Sequence, residues 1–149
     1  MTPISGFTLR RESLEESARP GALLHEGRET GLEIHAAVLN AQFSMKPDLY
    51  LLFFTDDCPY EEELQIILLD KHLKLMDGVK LGGMYTPGIL SDIREEGENQ
   101  LSFAFFSGIR TILQLHPEGF TQILRRLPPR VRPLRHRFLG KHYLSVRNT

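Results

Sequence analysis

The chain has 149 residues, 41% of them hydrophobic and 25% charged, with 18 basic and 19 acidic side chains for a formal net charge of −1. This balance excludes a disordered or fibrous polymer, and no stretch approaches the roughly 18 apolar residues of a membrane-spanning helix, so no membrane role is expected. Cys58 is the single cysteine, which excludes an intramolecular disulfide; with no apolar leader in MTPISGFTLRRESLEES, the expected location is the cytoplasm.

In chain order, RESLEESA has the pattern of a short helical segment before Pro20, with Ser13 as N-cap and Glu16 three residues later. Ala22–Leu24 reads as a short strand. Along Leu32–Met45, Leu32, Ile34, Ala36 and Val38 share one parity and Leu39, Ala41 and Phe43 the other, so a bulge, a bend or the start of a second strand falls near Leu39–Asn40. Met45-Lys46-Pro47-Asp48 is a turn.

The two runs that follow dominate the chain. Leu49–Phe54 is apolar at every position, and Leu64–Leu69 at every position but Gln65. The acidic connection Asp56–Glu62 makes them a hairpin buried in the middle of one antiparallel sheet. Lys71-His72 turns the chain, and Asp77-Gly78 is a second turn, or a bulge if the strand continues through Val79 and Leu81. The stretch from Gly82 to Gly88 is a glycine-rich loop. Ile89–Arg94, Leu101–Phe106 and Ile109–His116 alternate with the two-residue period of strands. Phe120, Ile123, Leu124 and Leu127 fall at helical spacing ahead of Pro128-Pro129, predicting a short helix near 118–127. His142–Val146 suits a final strand.

These elements predict an all-β, mainly antiparallel fold. About seven to eight strands in a meander would form a sandwich or partly open barrel. Residues 1–127 form the expected β-rich domain, and 128–149 a basic, Pro/Arg-rich tail. Residues 120–149 carry eight basic and no acidic side chains, leaving 10 basic and 19 acidic in 1–119, a split of +8 against −9. Such opposition favours a tail docked on its own domain or on a second protomer.

The chemical motifs are sparse. Asp56-Asp57-Cys58-Pro59-Tyr60-Glu61-Glu62-Glu63 lacks the ligand spacing of an EF-hand, and its charge suits a solvated hairpin tip. Cys58 lies among five carboxylates, which disfavour a thiolate nucleophile. The six histidines show no metal-ligand spacing, and Gly82-Gly83 lacks the Lys-Ser/Thr ending of a phosphate loop. No catalytic residue, metal ligand or cofactor site is therefore assigned. The expected role is a non-catalytic cytosolic interaction protein that recognises a protein partner, or a second copy of itself, through sheet edges and loops. The partner-binding candidates are Asp56, Asp57, Tyr60, Glu61, Tyr85, Thr86, Arg130, Arg132, Arg135, Arg137 and Lys141. Three alternatives accompany it: a β-barrel holding a small apolar ligand, polyanion or nucleic-acid binding through the basic tail, and a small hydrolase or isomerase with dispersed Asp/Glu and His.

Overall fold

The computed structural model describes residues 1–11, 20–46, 48–122, 126–134 and 140–149. Within them the backbone is almost entirely antiparallel β. The strands are β1 (Thr2–Pro3), β2 (Phe7–Arg10), β3 (Gly21–His25), β4 (Arg28–Ile34), β5 (Val38–Met45), β6 (Leu49–Thr55), β7 (Glu63–Leu69) and β8 (Leu75–Gly82). They continue with β9 (Ser91–Gly97), β10 (Gln100–Ala104), β11 (Arg110–Thr121), β12 (Val131–Pro133) and β13 (Lys141–Asn148). Several are only two to five residues long, which is why they outnumber the seven or eight expected from periodicity.

The strands form three sheets: six strands in the order β1-β5-β6-β7-β8-β12, four in the order β13-β11-β10-β9, and three in the order β2-β3-β4. The β6–β7 hairpin is the middle of the largest sheet, as its sequence suggests, but the other strands do not simply extend that sheet. Leu51, Phe53, Ile66 and Leu68 pack with Leu101, Phe103, Leu113 and Leu144 of the four-stranded sheet. The alternate residues Leu52, Phe54, Ile67 and Leu69 pack with Phe7, Leu23 and Ile34 on the three-stranded side. Both faces of the hairpin are thus covered, and a strand covered on both faces has no polar parity to display. The layers do not close into a barrel. Phe53 fills the space between the larger sheets in edge-to-face contact with Phe43 and Phe103, at ring separations of 6.0 and 5.6 Å.

The parity switch near Leu39 has two causes. β4 ends at Ile34 and the chain crosses to another sheet before β5 begins. Within β5, Leu39 pairs with Phe54 and Ala41 with Phe53, so Asn40 is an extra, bulged residue. Asp77-Gly78 does not turn the chain. β8 runs through it, and the bulge falls at Met76, because Leu68 pairs with Asp77 and Leu69 with Leu75. Gly78 is required there by close approach: a Cβ would lie 2.7 Å from Leu134 Cδ2.

The helix expected near 118–127 is not formed by its described residues. Residues 118–121 complete β11, with Phe120 paired to His142 and Thr121 to Lys141. Ladder pairing overrides a helical spacing of apolar side chains, and Pro117 and Gly119 fit because the β11–β13 register is interrupted between Leu115 and Phe120. Residues 122, 126 and 127 belong to no helix, and 123–125 lie outside the described residues. The helical segment predicted from Ser13 also lies outside them.

Candidate functional site

The acidic connection between β6 and β7 is held by one of its own carboxylates. Glu62 is 4% exposed, and its two oxygens accept from the backbone N–H groups of Asp56 (2.6 Å) and Cys58 (3.0 Å). A carboxylate receiving two backbone donors closes the loop from inside, much as a capping residue closes a helix end. The Glu61 N–H donates to the Cys58 carbonyl (3.0 Å) in the short 3-10 turn that follows. This arrangement lifts Tyr60 into solvent at 84% exposure. The Asp56 carboxyl is pushed up to about 6 by desolvation, and then by the negative charges of Glu63 and Glu62; Lys80 and Arg11 partly offset them. Cys58 is a free, exposed thiol.

Two distant segments meet this loop. The Gly83 N–H donates to the Glu62 carbonyl (3.1 Å), which anchors the glycine-rich loop after β8. Gly82 has a positive φ of 86°, and a Cβ on it would lie 2.4 Å from the Glu62 carbonyl oxygen. Gly88 lies against the Phe105 ring, where a Cβ would stand 2.6 Å from a ring carbon. Between these anchors the loop turns through Tyr85, at a φ of 59°, with the Thr86 N–H returning to the Gly83 carbonyl (3.1 Å). From the other side, the Gly82 N–H donates to the Arg130 carbonyl (2.9 Å), and the Arg132 guanidinium donates to the Gly82 carbonyl (2.8 Å) and to the Glu63 carboxylate. Glu63 also pairs with Lys80 at 3.3 Å.

An open apolar groove of about 680 Å³ lies beside this junction. Phe105, Phe106 and Ile109 line it, with Tyr60 and Ile89 at its edges. The Arg130 guanidinium sits 5.5 Å from the centre of the Phe106 ring, a cation–π distance. Arg110 also lines it, and donates to Asp92 Oδ2 (2.9 Å), the Asp92 carbonyl (3.0 Å) and Ser102 Oγ (2.9 Å). Hydrogen bonds from Arg94 and Arg110 hold the Asp92 carboxyl below its ordinary range.

Most of the candidates named from sequence therefore gather at one end of β7 and β8: Asp56, Asp57, Tyr60, Glu61, Tyr85, Thr86, Arg130 and Arg132. Lys141 does not join them. It begins β13 and lines a small cleft with Leu75 and Gly78, at the opposite end of β8. Arg135 and Arg137 lie outside the described residues. Sequence reasoning missed Ile89, Phe105, Phe106 and Arg110. No local signal singled out the two phenylalanines, because Leu101–Phe106 reads as one alternating strand.

Other chemistry is limited. His116 is hydrogen-bonded to Ser145 Oγ at 2.8 Å and packs edge-on against Phe120, with ring centres 4.8 Å apart. Among the described residues no carboxylate is hydrogen-bonded to His116, so this His–Ser contact lacks the third group that orients a catalytic base. Among those residues, too, no three His, Cys, Asp or Glu side chains converge as metal ligands. No helix among them is long and apolar enough to cross a membrane. No protein-family model, curated protein or solved structure matches this chain.

Proposed function

We propose that the protein is a non-catalytic interaction module of the cytoplasm that holds an extended segment of a partner protein in the groove beside Tyr60. One observation carries this reading. Of the five large hydrophobic side chains that are exposed among the described residues, four (Tyr60, Met84, Tyr85 and Ile89) stand on the two loops bordering the groove. Apart from Val38, the other large apolar side chains among the described residues are buried or half-buried, so this clustering is a local departure of the kind that marks a recognition surface. The loops are carried on a rigid sheet framework and pinned by backbone hydrogen bonds, which lowers the ordering cost of binding.

Loop contacts are favoured over strand addition. β9 is an edge strand, but its residues Arg94, Glu95 and Glu96 are exposed and charged, a composition that discourages another strand from pairing. A protein segment is favoured over a polyanion because Arg132 is already engaged by Glu63 and the neighbouring loop is acidic. The test is site-specific photocrosslinking in cells, with the photoreactive residue at position 60 or, as a control, at Lys141. Crosslinks at 60 but not 141, lost in an Ile89→Ser variant of unchanged melting temperature, support the reading. Capture that is equal at both positions, or indifferent to Ile89→Ser, refutes it.

A further inference from the structure

The charges bordering the groove are not evenly matched. Three cations at this junction already have carboxylate partners: Arg132 and Lys80 are both paired with Glu63, and Arg110 with Asp92. The acidic loop is only partly neutralised. Glu62 is buried and accepts from the Asp56 and Cys58 N–H groups, and Asp56 is partly offset by Lys80 and Arg11. Asp57 and Glu61 are exposed, precede and follow Tyr60 in the loop, and form no ion pair among the described residues. Tyr60 itself is 84% exposed at the edge of the groove. Against these two anions stands one exposed cation without a carboxylate among the described residues, Arg130, which lies 5.5 Å from the centre of the Phe106 ring. The unmatched charge at the Tyr60 edge is therefore negative, and it borders a bare aromatic ring and an apolar trough.

A lysine or arginine complements that combination. Its aliphatic stem covers apolar or aromatic surface while its charged head reaches a carboxylate, and a guanidinium also stacks on the face of a ring. We propose, on the reading of the groove as a protein-binding site, that the segment it holds is basic as well as apolar. Aliphatic or aromatic side chains pack against Phe105, Phe106 and Ile109, and a neighbouring Lys or Arg meets Tyr60, Asp57 and Glu61. Charges at the rim of an interface select among partners and set the rate of encounter more than they add affinity. An acidic segment is repelled by the same two carboxylates. Arg130 opposes the basic residue, so removing its charge strengthens binding.

The experiment pans a random short-peptide library, displayed on phage, against the immobilised full chain and its Ile89→Ser variant. The expected winners carry Lys or Arg close to Leu, Ile, Phe or Tyr, and Ile89→Ser does not retain them. The best winner is then titrated as a free fluorescent peptide against an Asp57→Asn/Glu61→Gln double variant. Both changes keep side-chain shape, and asparagine tolerates the positive φ of 58° at position 57. The double variant should bind roughly three- to tenfold more weakly, the effect of two exposed ion pairs. Added salt should weaken binding to the parent, and Arg130→Gln should tighten it. Winners that need Ile89 but are neutral or acidic overturn the proposal and leave the groove standing. So does a double variant that binds as well as the parent, or an Arg130→Gln variant that binds more weakly. Winners indifferent to Ile89→Ser, or no winners at all, overturn both the proposal and the groove as a protein-binding site.

Discussion

Removing the Glu62 carboxylate should destabilise the protein far more than removing either exposed acid beside it. Glu62 accepts from two backbone N–H groups, at 2.6 and 3.0 Å, and is 4% exposed. Hydrogen bonds to a charged acceptor contribute about 1.5–3 kcal/mol each. Glu62→Ala leaves the Asp56 and Cys58 N–H groups without that acceptor, though water reaches this loop and recovers part of the loss. The alanine also releases the desolvation cost of a buried charge. The net expectation is a loss of about 3 kcal/mol, which for a chain of this size lowers the melting temperature by about 6–12 °C.

Thermal unfolding followed by circular dichroism at neutral pH measures this directly. Glu61→Ala is the control, since an exposed substitution without such contacts stays within about 0.5 kcal/mol. Glu62→Gln should fall between them, keeping one acceptor oxygen and losing the charge. If Glu62→Ala melts within a degree or two of Glu61→Ala, the loop is not closed by its internal carboxylate and its geometry must come from the flanking strands alone.

Gly88→Ala should cost about 1–3 kcal/mol, read as a lower urea midpoint at unchanged slope, because the new methyl meets the Phe105 ring at 2.6 Å; an unchanged midpoint would mean the ring moves aside freely. Asp56 predicts a pH effect whose sign is opposite to the usual one for a carboxylate. Its folded pKa of about 6 lies above the ordinary 3.8, so the folded state binds the proton more tightly and stability falls as pH rises from about 4 to 6. The full displacement corresponds to about 3 kcal/mol, and solvent screening at this exposed carboxyl reduces it to about 1 kcal/mol. Asp56→Asn should therefore raise the melting temperature at pH 7.5 and leave it nearly unchanged at pH 4, and a decrease at pH 7.5 would refute the assignment.

The hairpin at the centre of the fold was legible because both faces of β6 and β7 are buried, which writes an unbroken apolar run into the sequence. Which sheet covers each face was not legible. Period-two alternation reports that a residue is inside, but the partner of Phe53 is Phe103, fifty residues away. Residues 118–121 misled for a related reason. Their spacing with Ile123, Leu124 and Leu127 fits a helix, and only pairing with β13 makes them strand. At the candidate site, Tyr60 and Tyr85 were visible as aromatics on turn-like loops. Phe105 and Phe106 were not, since aromatics in an alternating run look like ordinary core. The Arg132–Glu63 pair spans 69 residues, and a charge split in the sequence identifies neither member.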